Sequence, residues 1–324
     1  MKILVTGGAG FIGSYLVDSL LGAGNQVTVL DDMSTGTYEN IKPFIDNPKF
    51  TFILDTILND AIVRDLVKDS DEVYHLAAAV GVKYVMENPV NTIRTNIGGT
   101  EIILRYCSEY NKKVLLASTS EVYGKGMSIK KDGTGLDEDD DSIFGSTKIR
   151  RWSYATSKAL DEFLGLAYHS EKNLPVVIVR FFNTVGPRQL GDYGMVIPTF
   201  VNRALMGDPI PVFGDGSQMR SFTYVEDVVE GIIKLMDHDE AVGHVFNIGN
   251  SNEITIKDLA ELIVEKTKSN SKVQYIPFDK AYGYGFEDMK RRKPNIAKLA
   301  NLTGFAPTVS IDEILDKVIA HLRK

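Results

Sequence analysis

Three short stretches carry residue types and spacings that could do chemistry. Tyr154-Ala155-Thr156-Ser157-Lys158 puts a phenol and an ammonium at i and i+4, on one face of a helix. A nearby ammonium, with a positively charged cofactor ring beside both, favours the phenolate and lowers the tyrosine pKa toward neutrality, so Tyr154 could exchange a proton with a substrate hydroxyl. Ser118-Thr119-Ser120-Glu121 follows an apolar run and sets three hydroxyls and a carboxyl at a strand's carboxyl end. Gly7-Gly8-Ala9-Gly10-Phe11-Ile12-Gly13 lies between a strand run and a helical one. Glycines there permit a tight turn, so that a pyrophosphate can rest against the helix N-terminus.

The glycine pattern is weak alone and gains weight from Asp31, at the end of the next strand run. An acidic group there accepts hydrogen bonds from ribose hydroxyls and repels a 2′-phosphate. With Asp32 beside it and no adjacent arginine, the stretch favours NAD over NADP.

The elements that must position these residues are legible as alternating patterns. Runs 2–6, 26–31, 49–54, 72–77, 113–118 and 175–181 are short and apolar. Helical periodicity lies between them, from Phe11 and at about 59–68, 90–110 and 154–172. Continuous Val/Ile/Leu strands separated by helices predict a doubly wound parallel Rossmann sheet, with a second, smaller α/β substrate-binding domain. The expected division is 1–180 for the NAD-binding domain with 222–248 returning to it, and 181–221 with 249–324 for the second. The segment from Gly124 to Ser146, with the acidic run Asp137–Asp141, reads as a surface loop near the site.

Composition narrows the classes of function. Lys+Arg 36 against Asp+Glu 43 gives a net charge of −7, so no global basic field holds a nucleic-acid polymer. Cys107 is the only cysteine, which excludes an intrachain disulfide, and the five histidines show no metal-ligand spacing. No apolar run approaches the roughly 18–20 residues that cross a bilayer. A cytoplasmic protein with no metal and no membrane partner is the expectation.

Three motifs in this order, TGGAGFIG, LASTSEVYG and YATSK, resemble the extended short-chain dehydrogenase/reductase family. More narrowly the chain is similar to its NAD-dependent nucleotide-sugar epimerases, decarboxylases and dehydratases. The likeness extends to FFNTVGPR at 181–188, PIPVFGDGSQMRSFTYVEDV at 209–228 and RRKPN at 291–295. It implies that Tyr154 is the acid/base, that Ser118 and Thr119 hydrogen-bond the sugar oxygen, and that Lys158 holds the nicotinamide ribose. Glu121 is a further catalytic candidate. The cofactor set it implies is Gly7, Gly10, Phe11, Ile12, Gly13, Asp31, Asp32, Ser34, Thr35, Gly36, Asp55, Thr56, Leu76, Ala77, Ala78, Asn96 and Phe181, with Ser118, Tyr154 and Lys158. For a UDP-sugar it implies Val82, Lys83, Ser120, Asn183, Ile197, Val212, Phe213, Arg220, Arg292 and Asn295. Relatives commonly carry Asp where Asn295 stands, which weakens that contact. They also commonly dimerise through the helices near 90–110 and 154–172, so a homodimer is expected, with Ile102, Ile103, Leu104, Leu160, Phe163 and Leu164 as its candidate apolar positions.

Oxidation at the sugar C4 opens three reactions. The expectation ranks 4-epimerisation first, of UDP-glucose or of UDP-glucuronate, because Ala79-Val80-Gly81-Val82-Lys83 resembles the epimerase loop. UDP-glucuronate decarboxylation is the alternative, because Thr-Ser-Glu-Val-Tyr-Gly is also the decarboxylase pattern. A 4,6-dehydratase is disfavoured, since Ser120-Glu121 stands where that pattern has Asp-Glu.

Overall fold

The computed structural model describes residues 1–126, 130, 134–191, 195–278, 280 and 289–323, apart from the side chains of Val82 and Lys83. Six strands follow the apolar runs: β1 (Lys2–Thr6), β2 (Gln26–Asp31), β3 (Phe50–Leu54), β4 (Glu72–His75), β5 (Lys113–Thr119) and β6 (Val176–Phe181). With the strand His244–Ile248 they form a seven-stranded sheet in the order 244–248, β6, β5, β4, β1, β2, β3, every pairing parallel. Helices cover both faces, so strands such as KILVT and VVIVRF are apolar along their length rather than alternating. The order reverses between β1 and β4, and the carboxyl ends beside that switch are where a ligand crevice forms.

The 90–110 helix is not uniform. Pro89–Ile93 and Gly99–Glu109 are joined by a π segment, Arg94–Gly98. The extra residue turns Asn96 inward, where its Oδ1 accepts from Ala79 N at 2.8 Å and its Nδ2 donates to Ser157 Oγ at 3.2 Å. A buried amide thus locks the loop after β4 to the helix that carries Tyr154.

The remaining chain builds short sheets. Met219–Ser221 pairs with Glu253–Thr255 and, in parallel, with Arg291–Arg292, setting Arg220 opposite Arg292. Ile210–Phe213 pairs with Val273–Ile276. Two unequal lobes are expected from sequence, yet one continuous apolar core runs from Leu16 and Val29 under the main sheet to Val212, Leu259 and Ile314 in the smaller layers. The helix Val225–Asp237 joins them by packing on Phe11–Gly22. The terminal helix Ile311–Leu322 starts on a capping box, with Ser310 and Glu313 satisfying each other's backbone N–H groups.

Candidate active site

A cleft of about 1240 Å³ opens along the carboxyl ends of the strands and runs from the glycine loop to Arg292. At its first end the wall is backbone. Gly7 has φ +74°, and a Cβ there would lie 2.7 Å from Ala77 N; one on Gly13 would lie 2.1 Å from the Gly7 carbonyl oxygen. Gly36 is less tightly confined, its Cβ position 3.0 Å from Ala9, and it stands behind the wall formed by Ser34 and Thr35 rather than in it. Asp31 braces this loop, accepting from Ala9 N at 3.0 Å and Met33 N at 2.8 Å. Burial pushes the Asp31 carboxyl up, and those two N–H groups oppose the shift. A carboxylate has about four acceptor positions, so acceptor capacity is left for a ribose diol.

The cleft is lined here by Gly10, Phe11, Ile12, Gly13, Asp32, Ser34 and Thr35, and farther along by Asp55, Thr56, Leu76, Ala77, Ala78 and Phe181. The backbone cradle and the carboxylate suit a dinucleotide that lacks a 2′-phosphate. Asn96 differs from its expected place: it is buried, and its amide is consumed by Ala79 and Ser157 rather than presented to the cleft.

At the far end the wall is side chains. Thr119 closes β5, its hydroxyl accepting from Glu121 N at 3.2 Å. Tyr154 stands in the first turn of the helix Trp152–Lys172 and lines the cleft with Thr119. The lowering expected of Tyr154 counts on the nicotinamide charge as well as on Lys158. Lys158 Nζ sits 2.9 Å from Asp161 Oδ2. Burial and the Glu121 charge push the phenol up, and Thr119 pulls the other way.

Ser118 is a second correction. Its hydroxyl donates to buried Glu162, which is gripped by Arg180 at 2.7 Å and 2.9 Å. The strand alternates faces, so when Thr119 faces the phenol Ser118 must turn away from it. Ser120 stays in the cleft wall, 3.5 Å from an Arg292 guanidinium nitrogen.

Glu121 is caged. Arg292 Nη2 donates to its Oε1 at 2.7 Å, and Arg151 Nη2 lies 3.3 Å and 3.4 Å from its two oxygens. Burial alone would push this carboxyl up, but Arg292, Arg151 and Arg220 outweigh it and hold it at about 2. Arg292 and Arg151 thus hold Glu121 as a carboxylate in this arrangement.

Asn183, Ile197, Phe213, Arg220 and Arg292 line the same cleft. Asn183 holds φ +38° and donates to the Ser221 carbonyl at 2.8 Å. Val212 does not reach the cleft, because the strand points it into the core while Pro211 and Phe213 face outward. Asn295 is also displaced: its amide donates to Asp137 and its backbone N–H to the Leu136 carbonyl. It fastens the 124–146 loop instead of facing a ligand. Val82 and Lys83 fall outside the described side chains. Arg151 was missed as a site residue, although its place three residues before Tyr154 sets both on one helical face. Among the described residues no group of three or more His, Cys, Asp or Glu could hold a metal ion, and no helix is long and apolar enough to cross a membrane.

Known proteins resemble this arrangement over the whole chain. The family model described as GDP-mannose 4,6 dehydratase matches residues 4–318. A UDP-N-acetyl-alpha-D-glucosaminuronate decarboxylase from Bacillus cytotoxicus is 43% identical, over 100% of this chain and 98% of the relative. UDP-glucuronic acid decarboxylase 1 of Arabidopsis thaliana is 36% identical over 100% of this chain and 70% of its own length. Among solved structures, the UDP-glucuronic acid 4-epimerase from Bacillus cereus, in complex with UDP-glucuronic acid and NAD, superposes with TM-score 0.89 at 31% identity, covering 100% of this chain and 99% of that one. The chain belongs to the extended short-chain dehydrogenase/reductase family, in the group matched by the GDP-mannose 4,6 dehydratase model.

Proposed function

We propose that the protein is an NAD-dependent decarboxylase of a UDP-uronate, working through a 4-keto sugar. One observation carries this reading: Glu121 sits beside Tyr154 inside a cage of Arg292, Arg151 and Arg220. Three guanidinium groups on one carboxylate form an anion-selective end of the cleft, suited to a diphosphate and a uronate carboxylate together. The names of the curated relatives weigh the same way, so decarboxylation replaces the 4-epimerisation that sequence ranks first. The solved epimerase supports the fold and the uronate, and leaves epimerisation as the second reading.

NAD, when bound against the glycine loop, supplies the acceptor and later donor of the C4 hydrogen. The protein's own work begins with Tyr154, which takes the C4 hydroxyl proton while Thr119 orients that oxygen. The ketone at C4 is β to the C6 carboxylate. The C5–C6 bond breaks, its electron pair passes toward the C4 oxygen next to the Tyr154 hydroxyl, and CO₂ leaves. C5 then takes up a proton from water, so that a uronate and one proton give a pentose and CO₂. Loss of CO₂ removes a negative charge from beside Glu121, and Arg292 keeps the departing carboxylate aligned until then.

Incubation with UDP-glucuronate or UDP-N-acetylglucosaminuronate, read by NMR and by CO₂ release, tests the proposal. A UDP-pentose product with one CO₂ per turnover is expected. A UDP-galacturonate-type product with the carboxylate retained would overturn it in favour of epimerisation.

We also propose a homodimer, resting on a narrower face than sequence suggests. Ile103 and Leu104 are fully buried in the monomer, whereas Phe163 is 71% and Val90 79% exposed, with Leu160 and Ile93 beside them. Sedimentation of Phe163→Glu should show a monomer where the native chain sediments as a dimer.

A further inference from the structure

Asp161 lies one turn beyond Lys158 on the helix Trp152–Lys172 and is 1% exposed. Its Oδ2 stands 2.9 Å from Lys158 Nζ, an ion pair whose angle falls short of an aligned hydrogen bond. Sealing a carboxylate inside a protein costs several kcal/mol even when it is paired, and apolar residues of like volume are often as stable there. Packing alone therefore gives no reason for an acid at this position.

The residues around it give one. Ala77 N donates to Thr6 Oγ1 at 3.3 Å, Thr6 Oγ1 is 2.7 Å from His75 Nδ1, and His75 Nε2 is 3.1 Å from Thr100 Oγ1. Burial, and then the Lys158 charge, hold His75 down at about 3, so the ring is neutral and carries one N–H. Either tautomer of the ring joins the Thr6 and Thr100 hydroxyls, and a neutral imidazole offers Lys158 no negative charge. Neither Asp161 oxygen completes a hydrogen bond, so the contact of this carboxylate is its ion pair with the ammonium of Lys158. Burial pushes the Asp161 carboxyl up, while Lys158 and then Thr100 favour its charged form.

We propose that Asp161 is a positioning residue that fixes the Lys158 ammonium through their buried ion pair. The inference rests on Lys158 serving NAD and Tyr154 as set out above. The charged groups facing these residues are few. Tyr154 faces Glu121, Asp161 and Arg292; Asp161 faces Lys158 and Glu162, the latter held by Arg180.

The test uses full-length Asp161→Asn, stripped of cofactor. Calorimetry should show NAD affinity weakened about tenfold, the scale of one charge-assisted hydrogen bond. The acid-side limb of kcat against pH should move to lower pH, because a carboxylate that raises Tyr154 is gone, while KM for the UDP-uronate stays within about twofold. Asp161→Glu, which restores the charge, should return the limb toward its original place. A folded Asp161→Asn protein with unaltered NAD affinity and an unmoved limb would overturn the proposal. If that variant does not fold, Thr100→Val, which removes the hydroxyl that favours the charged form of Asp161, should weaken NAD binding several-fold; native affinity there overturns the proposal equally. Failure of the native protein to release CO₂ would sink the proposed reaction and leave the NAD-affinity comparison standing.

Discussion

The two ends of the cleft are made of different material. Around Gly7 and Gly13 the surface is main chain, drawn from one contiguous stretch and braced by Asp31, a single side chain 18 residues beyond Gly13. Around Glu121 the surface is charged side chain, brought from positions 121, 151, 220 and 292 by four separate elements. Backbone recognition tolerates no added volume and is indifferent to pH. Side-chain recognition has space to adjust but depends on every partner keeping its charge. The variants below separate these behaviours.

Tyr154 stands where the two ends meet, so its loss should be the largest effect. Tyr154→Phe should lower kcat by about a thousandfold, with NAD and UDP affinities measured by calorimetry largely kept. Turnover within tenfold of native would remove Tyr154 from the chemistry altogether.

At the charged end, Arg292→Leu removes the shortest contact to Glu121 and should cut kcat/KM by about a hundredfold, the worth of a hydrogen bond to a charged group. The same variant sharpens the assignment when UDP alone is titrated. If Arg292 serves the uronate carboxylate, UDP binds as before; if it grips the diphosphate, UDP weakens in step with the substrate.

At the backbone end, Gly13→Ala places a methyl 2.1 Å from the Gly7 carbonyl oxygen, where no side chain can rotate aside. Overpacking of this kind costs about 1–3 kcal/mol, read as a lowered denaturation midpoint, and NAD binding should fall with it. UDP binding at the other end should be unaffected.

The two ends also titrate differently. Between them lies His75, held neutral at about 3 against an ordinary 6.5. Its folded-state value is depressed, so the unfolded chain binds the proton more readily. The stability it contributes is complete above about pH 6.5 and is lost as pH falls toward 3, amounting to about 2 kcal/mol by pH 5. Denaturant midpoints measured across pH 7 to 5 should show that slope, and His75→Gln should flatten it.

The same contrast explains what could be read before the fold was known. β1 and β2 coincide with their sequence patterns, and the helices Asp60–Asp69 and Trp152–Lys172 begin within two residues of theirs, because periodicity and capping are local. Gly7 to Gly13 with Asp31 were legible for the same reason, as a short contiguous motif. The cage was not: nothing local in Arg151 says that it will share Glu121 with Arg292, 141 positions further along the chain, which strand pairing sets opposite Arg220. Ser118 was misread because adjacent hydroxyls look equivalent in sequence, whereas the pleat sends one to Tyr154 and its neighbour to Glu162. The π segment at Asn96 was invisible, since a single inserted residue barely disturbs a helical pattern.

Asn295 offers the smallest effect and the cleanest separation of position from role. By resemblance it contacts the ligand; in the structure its amide donates to Asp137 and its Oδ1 accepts from Ala297 N at 3.0 Å, outside the cleft wall. Removing such contacts leaves Asp137 short of one donor and a helix start short of one acceptor. Asn295→Ala should therefore lower stability by about 1 kcal/mol while KM for the UDP-sugar stays within twofold. Asn295→Asp discriminates further, because a ribose partner would accept the carboxylate readily. Beside Asp137 the new charge meets one of its own sign, so a loss of stability at neutral pH, relieved below about pH 4 as the pair takes up a proton, marks a loop fastener. An increased KM with unchanged stability would instead return Asn295 to the ligand.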